Sequence, residues 1–89
     1  MWYVYLLQCS DNSYYTGITT DVKRRLSEHN NSKRGARYTK SRRPVKMLCY
    51  FRVSSRSEAC KEEAKIKGMK RNDKPIYILN RGGTSGSFN

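Results

Sequence analysis

Apolar and polar positions along this 89-residue chain follow two different periods. Trp2 to Cys9 is apolar or aromatic at every position except Gln8. Such a run, rich in aromatic and branched side chains, predicts a central strand covered on both faces. Ser10 to Ser13 is a turn cluster. Tyr14 to Ile18 returns as a second strand and makes a hairpin. Pro44 leads into a third strand, Val45 to Val53. There Val45, Met47, Cys49, Phe51 and Val53 alternate with Lys46, Leu48, Tyr50 and Arg52, which gives one fully apolar face.

Between and after these strands the period lengthens to that of helices. Val22, Arg25, Leu26 and His29 follow i, i+3, i+4, i+7. Thr19 or Thr20 can cap this helix, Asp21 suits its first turn, and Asn30-Asn31 is a stop. Val22 and Leu26 should bury, with Arg25 and His29 one turn apart beside them, and Lys23, Arg24 and Glu28 on more exposed faces. Ser55 and Glu58 fit a capping box for a helix reaching about Lys67 and ending at Gly68. Its apolar positions are Ala59, Cys60, Ala64, Ile66 and Met69. Asn72 to Leu79 predicts a short last helix capped by Asp73. Arg81 to Asn89 is rich in Gly and Ser and reads as a flexible tail. The expected class is α+β, with one domain over residues 1–80 and a tail over 81–89.

The hairpin loop decides which side chains share a face. A three-residue loop at Asp11-Asn12-Ser13 sets Cys9 opposite Tyr15 and Leu7 opposite Gly17, and puts Tyr3, Tyr5, Tyr15 and Gly17 on one face. A loop of two or four residues without a bulge separates Tyr5 from Tyr15, because side chains alternate. The pattern alone leaves this register open.

Charge changes the picture from a small fold to a small fold with a polyanionic partner. Hydrophobic residues make up 36% of the chain, so the core is thin. Lys and Arg number 19 against 7 Asp and Glu, a formal charge of +12. Such an excess favours nucleic acid, held through its phosphates. The basic residues cluster: Lys33, Arg34, Arg37, Lys40, Arg42, Arg43 and Lys46 fall in one stretch without an acid. That stretch reads as a surface loop with one helical turn that holds phosphates, and Tyr38 within it can stack on an unpaired base. Three cysteines at unpatterned spacings and a single histidine argue against a disulfide framework or a zinc site. The thiols read as reduced and buried, which with the absence of a signal peptide or a membrane-spanning run indicates a cytoplasmic protein with no membrane partner.

Few residues remain that could do chemistry. Glu63 points close to the apolar direction of its helix, where a carboxylate is costly unless it is paired or binds a cation. Arg25 offers a forked guanidinium suited to a phosphate, and His29 could move a proton near neutral pH. In a basic protein each also has a plain reading, as an ion pair or a solvated helix residue. Tyr3, Tyr5, Tyr14 and Tyr15 read first as core aromatics with hydroxyls at the sheet edge.

Taken in order, Tyr3-Val4-Tyr5, Tyr15-Thr16-Gly17, Arg25, His29 and Glu63 resemble the signature of the GIY-YIG nuclease superfamily. The stretch Tyr14 to Arg25 resembles its small, stand-alone, bacterial-type branch. The likeness continues through Gly35 to Thr39, Arg56 to Ala59 and Glu63 to Lys67. Tyr3 stands where the first triad has glycine, and Thr16 where the second has isoleucine. The resemblance implies a three-stranded antiparallel sheet flanked by helices and a metal-dependent nuclease that hydrolyses a phosphodiester of DNA. By the same resemblance Tyr5 and Tyr15 are the triad tyrosines and Gly17 the glycine that lets substrate approach. Arg25 is the family arginine, His29 a position often His or Tyr, and Glu63 the single ligand of Mg²⁺ or Mn²⁺. Single-stranded or branched DNA is the expected substrate, and the five side chains should line one concave surface. A nucleic-acid-binding module that keeps the fold without cutting is the alternative.

Overall fold

The computed structural model describes residues 1–86. The elements run β1 (Trp2–Gln8), β2 (Tyr14–Thr19), α1 (Val22–Asn31), α2 (Arg37–Lys40), β3 (Lys46–Val53), α3 (Arg56–Lys67), α4 (Asp73–Asn80) and β4 (Thr84–Ser85). The sheet is antiparallel throughout, in the order β2-β1-β3-β4. β1 is therefore interior, as its unbroken apolar run requires; Val4, Tyr5, Leu6 and Leu7 are all buried.

The sheet has four strands where three were expected. β4 is only two residues long and pairs Ser85 with Cys49 and Thr84 with Tyr50. Its sequence, in a Gly/Ser-rich setting, has no strand pattern of its own; the open edge of β3 supplies the partner. This corrects the expected tail over the described residues. Arg81 also bonds Glu62 at 3.0 Å, and the Gly86 N–H bonds the Leu48 carbonyl at 3.1 Å. The rest of the expected tail, residues 87–89, lies outside the described residues.

The two faces of the sheet carry separate cores. Val4, Leu6, Cys49, Phe51 and Val53 meet Ala59 and Ile66 of α3 and Ile78 of α4. Tyr5, Leu7, Val45 and Met47 meet Leu26 of α1 on the other face. A β-bulge between Leu6 and Leu7 shifts the register of β1 against β3. Of the expected buried positions on α3, Cys60 and Ala64 are exposed, because α3 lays only a narrow stripe on the sheet.

The cap of α1 is Asp21, not Thr19 or Thr20 as expected: its side chain accepts from the Arg24 N–H at 3.0 Å, while Thr19 accepts from the Asp21 N–H at 3.1 Å. Ser55 caps α3 through the Glu58 N–H at 3.1 Å. Asp73, expected as a cap, is instead the first residue of α4. No helix among the described residues is long and apolar enough to cross a membrane.

Candidate active site

The hairpin turns through Asn12 in the left-handed region (φ 67°), which asparagine tolerates better than most residues. The Cys9 N–H bonds the Ser13 carbonyl at 2.8 Å, so the loop proper is Ser10 to Asn12. Leu7 stands opposite Tyr15 and Tyr5 opposite Gly17. The expected pairing of Cys9 with Tyr15 is thus corrected by two residues along the strand. A shift of two keeps the alternation, and Tyr5, Tyr15 and Gly17 share the α1 face, as the odd-length loop requires.

Tyr5 is the centre of the cluster. Its ring crosses the paired Gly17, where a Cβ would meet the phenol carbon Cζ at 2.5 Å. The missing side chain is what lets a tyrosine of the interior strand reach toward the free edge of β2. The hydroxyl meets His29 Nε2 at 2.8 Å. His29 is fully buried, and its ring stands edge-on to Tyr5 and Tyr15, at centroid distances of 5.8 and 5.3 Å.

Burial and the cationic Arg25 push the His29 pKa down to about 4. At neutral pH the ring is neutral and can accept a proton but has no acidic one to donate. Its Nδ1 lies 2.8 Å from Thr39 Oγ1, which donates to the Ala36 carbonyl at 2.9 Å. A hydroxyl that donates there accepts from Nδ1–H, and this leaves Nε2 to accept from Tyr5. The Ala36 N–H approaches Nδ1 at 3.4 Å and favours the opposite tautomer, but it is the longer contact. Burial pushes the Tyr5 phenol up to about 12; the Arg25 guanidinium against it works in the opposite sense, while the Tyr15 phenol and the Glu63 carboxylate add to the rise.

Arg25 projects from the same flank of α1. Its Nη1 donates to Glu28 Oε1 at 2.9 Å and to the Arg34 carbonyl at 2.8 Å. The bond to Arg25 holds the Glu28 carboxyl below the usual range. Glu28 and Thr39 were not singled out from the sequence. The i, i+3 spacing of Arg25 and Glu28 was a signal for the first; nothing local marked Thr39.

Glu63 comes from a different layer: α3 lays Ala59 and Ile66 on the opposite face of the sheet from α1. The negative charge of its carboxylate adds to the rise of the Tyr5 pKa. α3 packs against β2, an edge strand, and Tyr5 extends toward that edge over Gly17. The Glu63 side chain is 23% exposed and lies 3.5 Å from Lys67 Nζ.

The basic segment divides by placement. Lys33, Arg34, Arg37 and Lys40 are exposed around the short helix α2. Arg42 stacks on Tyr38 at 3.8 Å and pairs with Asp11 at 3.0 Å, while Tyr38 stacks on Tyr15 at 5.9 Å. Arg43 does not face outward: it donates to the backbone carbonyls of His29, Glu28 and Ser32, at 2.5, 3.4 and 2.6 Å. Those carbonyls close the end of α1, so its charge meets the negative pole of a helix.

As a donor set for a cation, Glu63 offers one carboxylate, partly open to water. Among the described residues no three of His, Cys, Asp and Glu gather as a metal cage. One hard oxygen ligand fits a weakly held Mg²⁺ or Mn²⁺ that keeps most of its water.

Comparison with known proteins supplies the class. Residues 1–76 match the profile of the GIY-YIG catalytic domain, a nuclease domain that acts on nucleic acid. The chain belongs to the GIY-YIG family. A UPF0213 protein of Listeria monocytogenes is 51% identical over 79 residues, covering 89% of this chain and 87% of its own. One from Syntrophus aciditrophicus is 54% identical over 72 residues, covering 81% and 83%. The solution structure of a UPF0213 protein from Bacillus halodurans matches with a TM-score of 0.54 at 40% identity, covering 92% of this chain and 87% of that one. A protein of E. faecalis matches with a TM-score of 0.61 at 45% identity, covering 90% and 84%.

Proposed function

We propose that this protein is a divalent-metal-dependent endonuclease that hydrolyses phosphodiester bonds of single-stranded or branched DNA. One observation carries the reading: the Tyr5 hydroxyl is bonded to the fully buried His29, and the charges of Arg25 and Glu63 shift its pKa in opposite senses. A protein that only binds DNA gains nothing from a carboxylate held near the phosphate.

Each residue has a defined task. Tyr5 orients the attacking water through its hydroxyl. The neutral imidazole, its ring fixed by Thr39, accepts the Tyr5 hydrogen bond at Nε2 and so orients the phenol. An anionic phosphate beside the ring raises its basicity above that of the free protein. Half-buried Tyr15 forms the water-accessible wall next to it. Arg25 stabilises the charge that grows on the phosphate; its two short bonds both use Nη1, which leaves the rest of the fork toward Tyr5. Glu63 would hold Mg²⁺ or Mn²⁺, which when bound polarises phosphate oxygen and water. Lys33, Arg34, Arg37 and Lys40 hold the strand through its phosphates, and Tyr38 with Arg42 offers a stacking surface.

The test is a cleavage assay on single-stranded, flapped and duplex DNA with Mg²⁺ or Mn²⁺. Wild type should cut, and Glu63→Ala should stop cutting while leaving DNA binding intact. A wild type that binds every substrate and cuts none would establish the binding-module reading instead.

A further inference from the structure

The strand-holding surface around α2 leaves unexplained a row of hollows on the other flank of α1. The first, about 160 Å³, lies beside the hairpin and is walled by Pro44 and Lys46. A second of about 460 Å³, between α1 and the start of β3, shares Pro44 and Lys46 and continues to Lys23. A third of about 410 Å³ shares Lys23 and reaches Tyr3 and Tyr50. A fourth of about 270 Å³ shares Tyr3 and Tyr50 and ends at Arg52. None is walled by Arg25, His29 or Glu63.

The shared walls set the four hollows side by side as a shallow groove, and its chemistry is that of a track for a flexible polyanion. Lys46, Lys23 and Arg52 are exposed along it. Tyr3 and Tyr50 stand edge to face at 6.0 Å beside the start of α1. Asp21 is the one acid among the lining residues, and its carboxylate caps α1. Cations spaced along a groove neutralise phosphates, and half-exposed tyrosines between them give bases a stacking surface. A duplex is too wide for hollows of this size; a single strand is not.

We propose that this groove is a second nucleic-acid site, which takes a single-stranded arm of the substrate that is not being cut. The proposal rests on nucleic acid as the substrate but not on cleavage. Held at both flanks of α1, a branched substrate would be preferred over a simple strand, which engages one flank at a time.

Fluorescence anisotropy in EDTA, where no metal-dependent cutting occurs, tests this with a splayed-arm duplex and a short single strand. Lys46→Glu/Arg52→Glu alters two exposed β3 residues, and circular dichroism checks its fold. It should weaken splayed-arm binding at least about fivefold and lower the slope of log K against log salt by roughly 1.4, about 0.7 per lost phosphate contact. A smaller loss with an unchanged slope overturns the groove. So does an equal loss in Lys61→Glu/Lys70→Glu, which removes the same charge elsewhere. If wild type never cuts, the nuclease reading fails, while the affinity comparison still decides the groove.

Discussion

The phenol of Tyr5 lies across Gly17, its directly paired neighbour on β2, and a methyl group at Gly17 would occupy the space of that ring. The glycine is therefore a passage for a side chain of the next strand. Gly17→Ala must push Tyr5 aside, since ring carbon and hydroxyl are both in the way. The expected cost is about 1–3 kcal/mol of stability, typical of overpacking, together with loss of cleavage. Urea unfolding of Gly17→Ala, Tyr5→Leu and the double variant checks it. The double variant should be more stable than the sum of the single effects, because the smaller side chain relieves the clash.

His29 sets an acid limit on stability. Its pKa in the folded protein, about 4, lies below the ordinary 6.5. Between those values the unfolded chain binds the proton and the folded chain does not, so stability rises with pH. The contribution is fully present above pH 6.5 and is lost as pH falls toward 4, on the order of 3 kcal/mol in all. Urea midpoints measured from pH 7 to pH 4 should fall for wild type and fall less for His29→Gln. Parallel curves for the two proteins would contradict a neutral buried imidazole.

Arg43 and the exposed basic residues should separate by readout. Arg43→Met removes a guanidinium from three backbone carbonyls at the end of α1. It should cost roughly 2–4 kcal/mol of stability, as charged hydrogen bonds to half-buried acceptors do. Lys33→Ala and Lys40→Ala should leave stability within about 0.5 kcal/mol, and each should reduce the salt dependence of DNA binding by about one counterion. Thermal unfolding and salt titration of the same three variants check both halves.

Glu28 positions Arg25 and touches no part of the proposed reaction itself. Glu28→Gln keeps a hydrogen-bond acceptor but removes the charge that holds Nη1. Cleavage should fall mainly through kcat, with substrate affinity unchanged or slightly tighter as one negative charge leaves a basic surface. Glu28→Asp should restore part of the rate. An unchanged kcat in Glu28→Gln would mean that the Arg34 carbonyl alone suffices to place the guanidinium.

The sequence by itself determined the elements and their order. The apolar run of β1 could only be interior, the alternation of Val45 to Val53 could only be a strand, and Ser55 marks a helix start because its side chain meets a nearby backbone N–H group. It also singled out Tyr5, Tyr15, Arg25, His29 and Glu63 as candidates, since a motif is read without coordinates. The tertiary structure decided what depends on distant partners. Ser85 became a strand only because the edge of β3 was open to it. Arg43 and Arg34 sit in the same basic run, yet the Arg43 guanidinium turned inward because α1 ends within its reach. The hairpin register followed from a left-handed Asn12 that no periodicity encodes. Helix periodicity gave Glu63 a direction but not a layer. Only the stacking of α3 on the far face of the sheet set its layer.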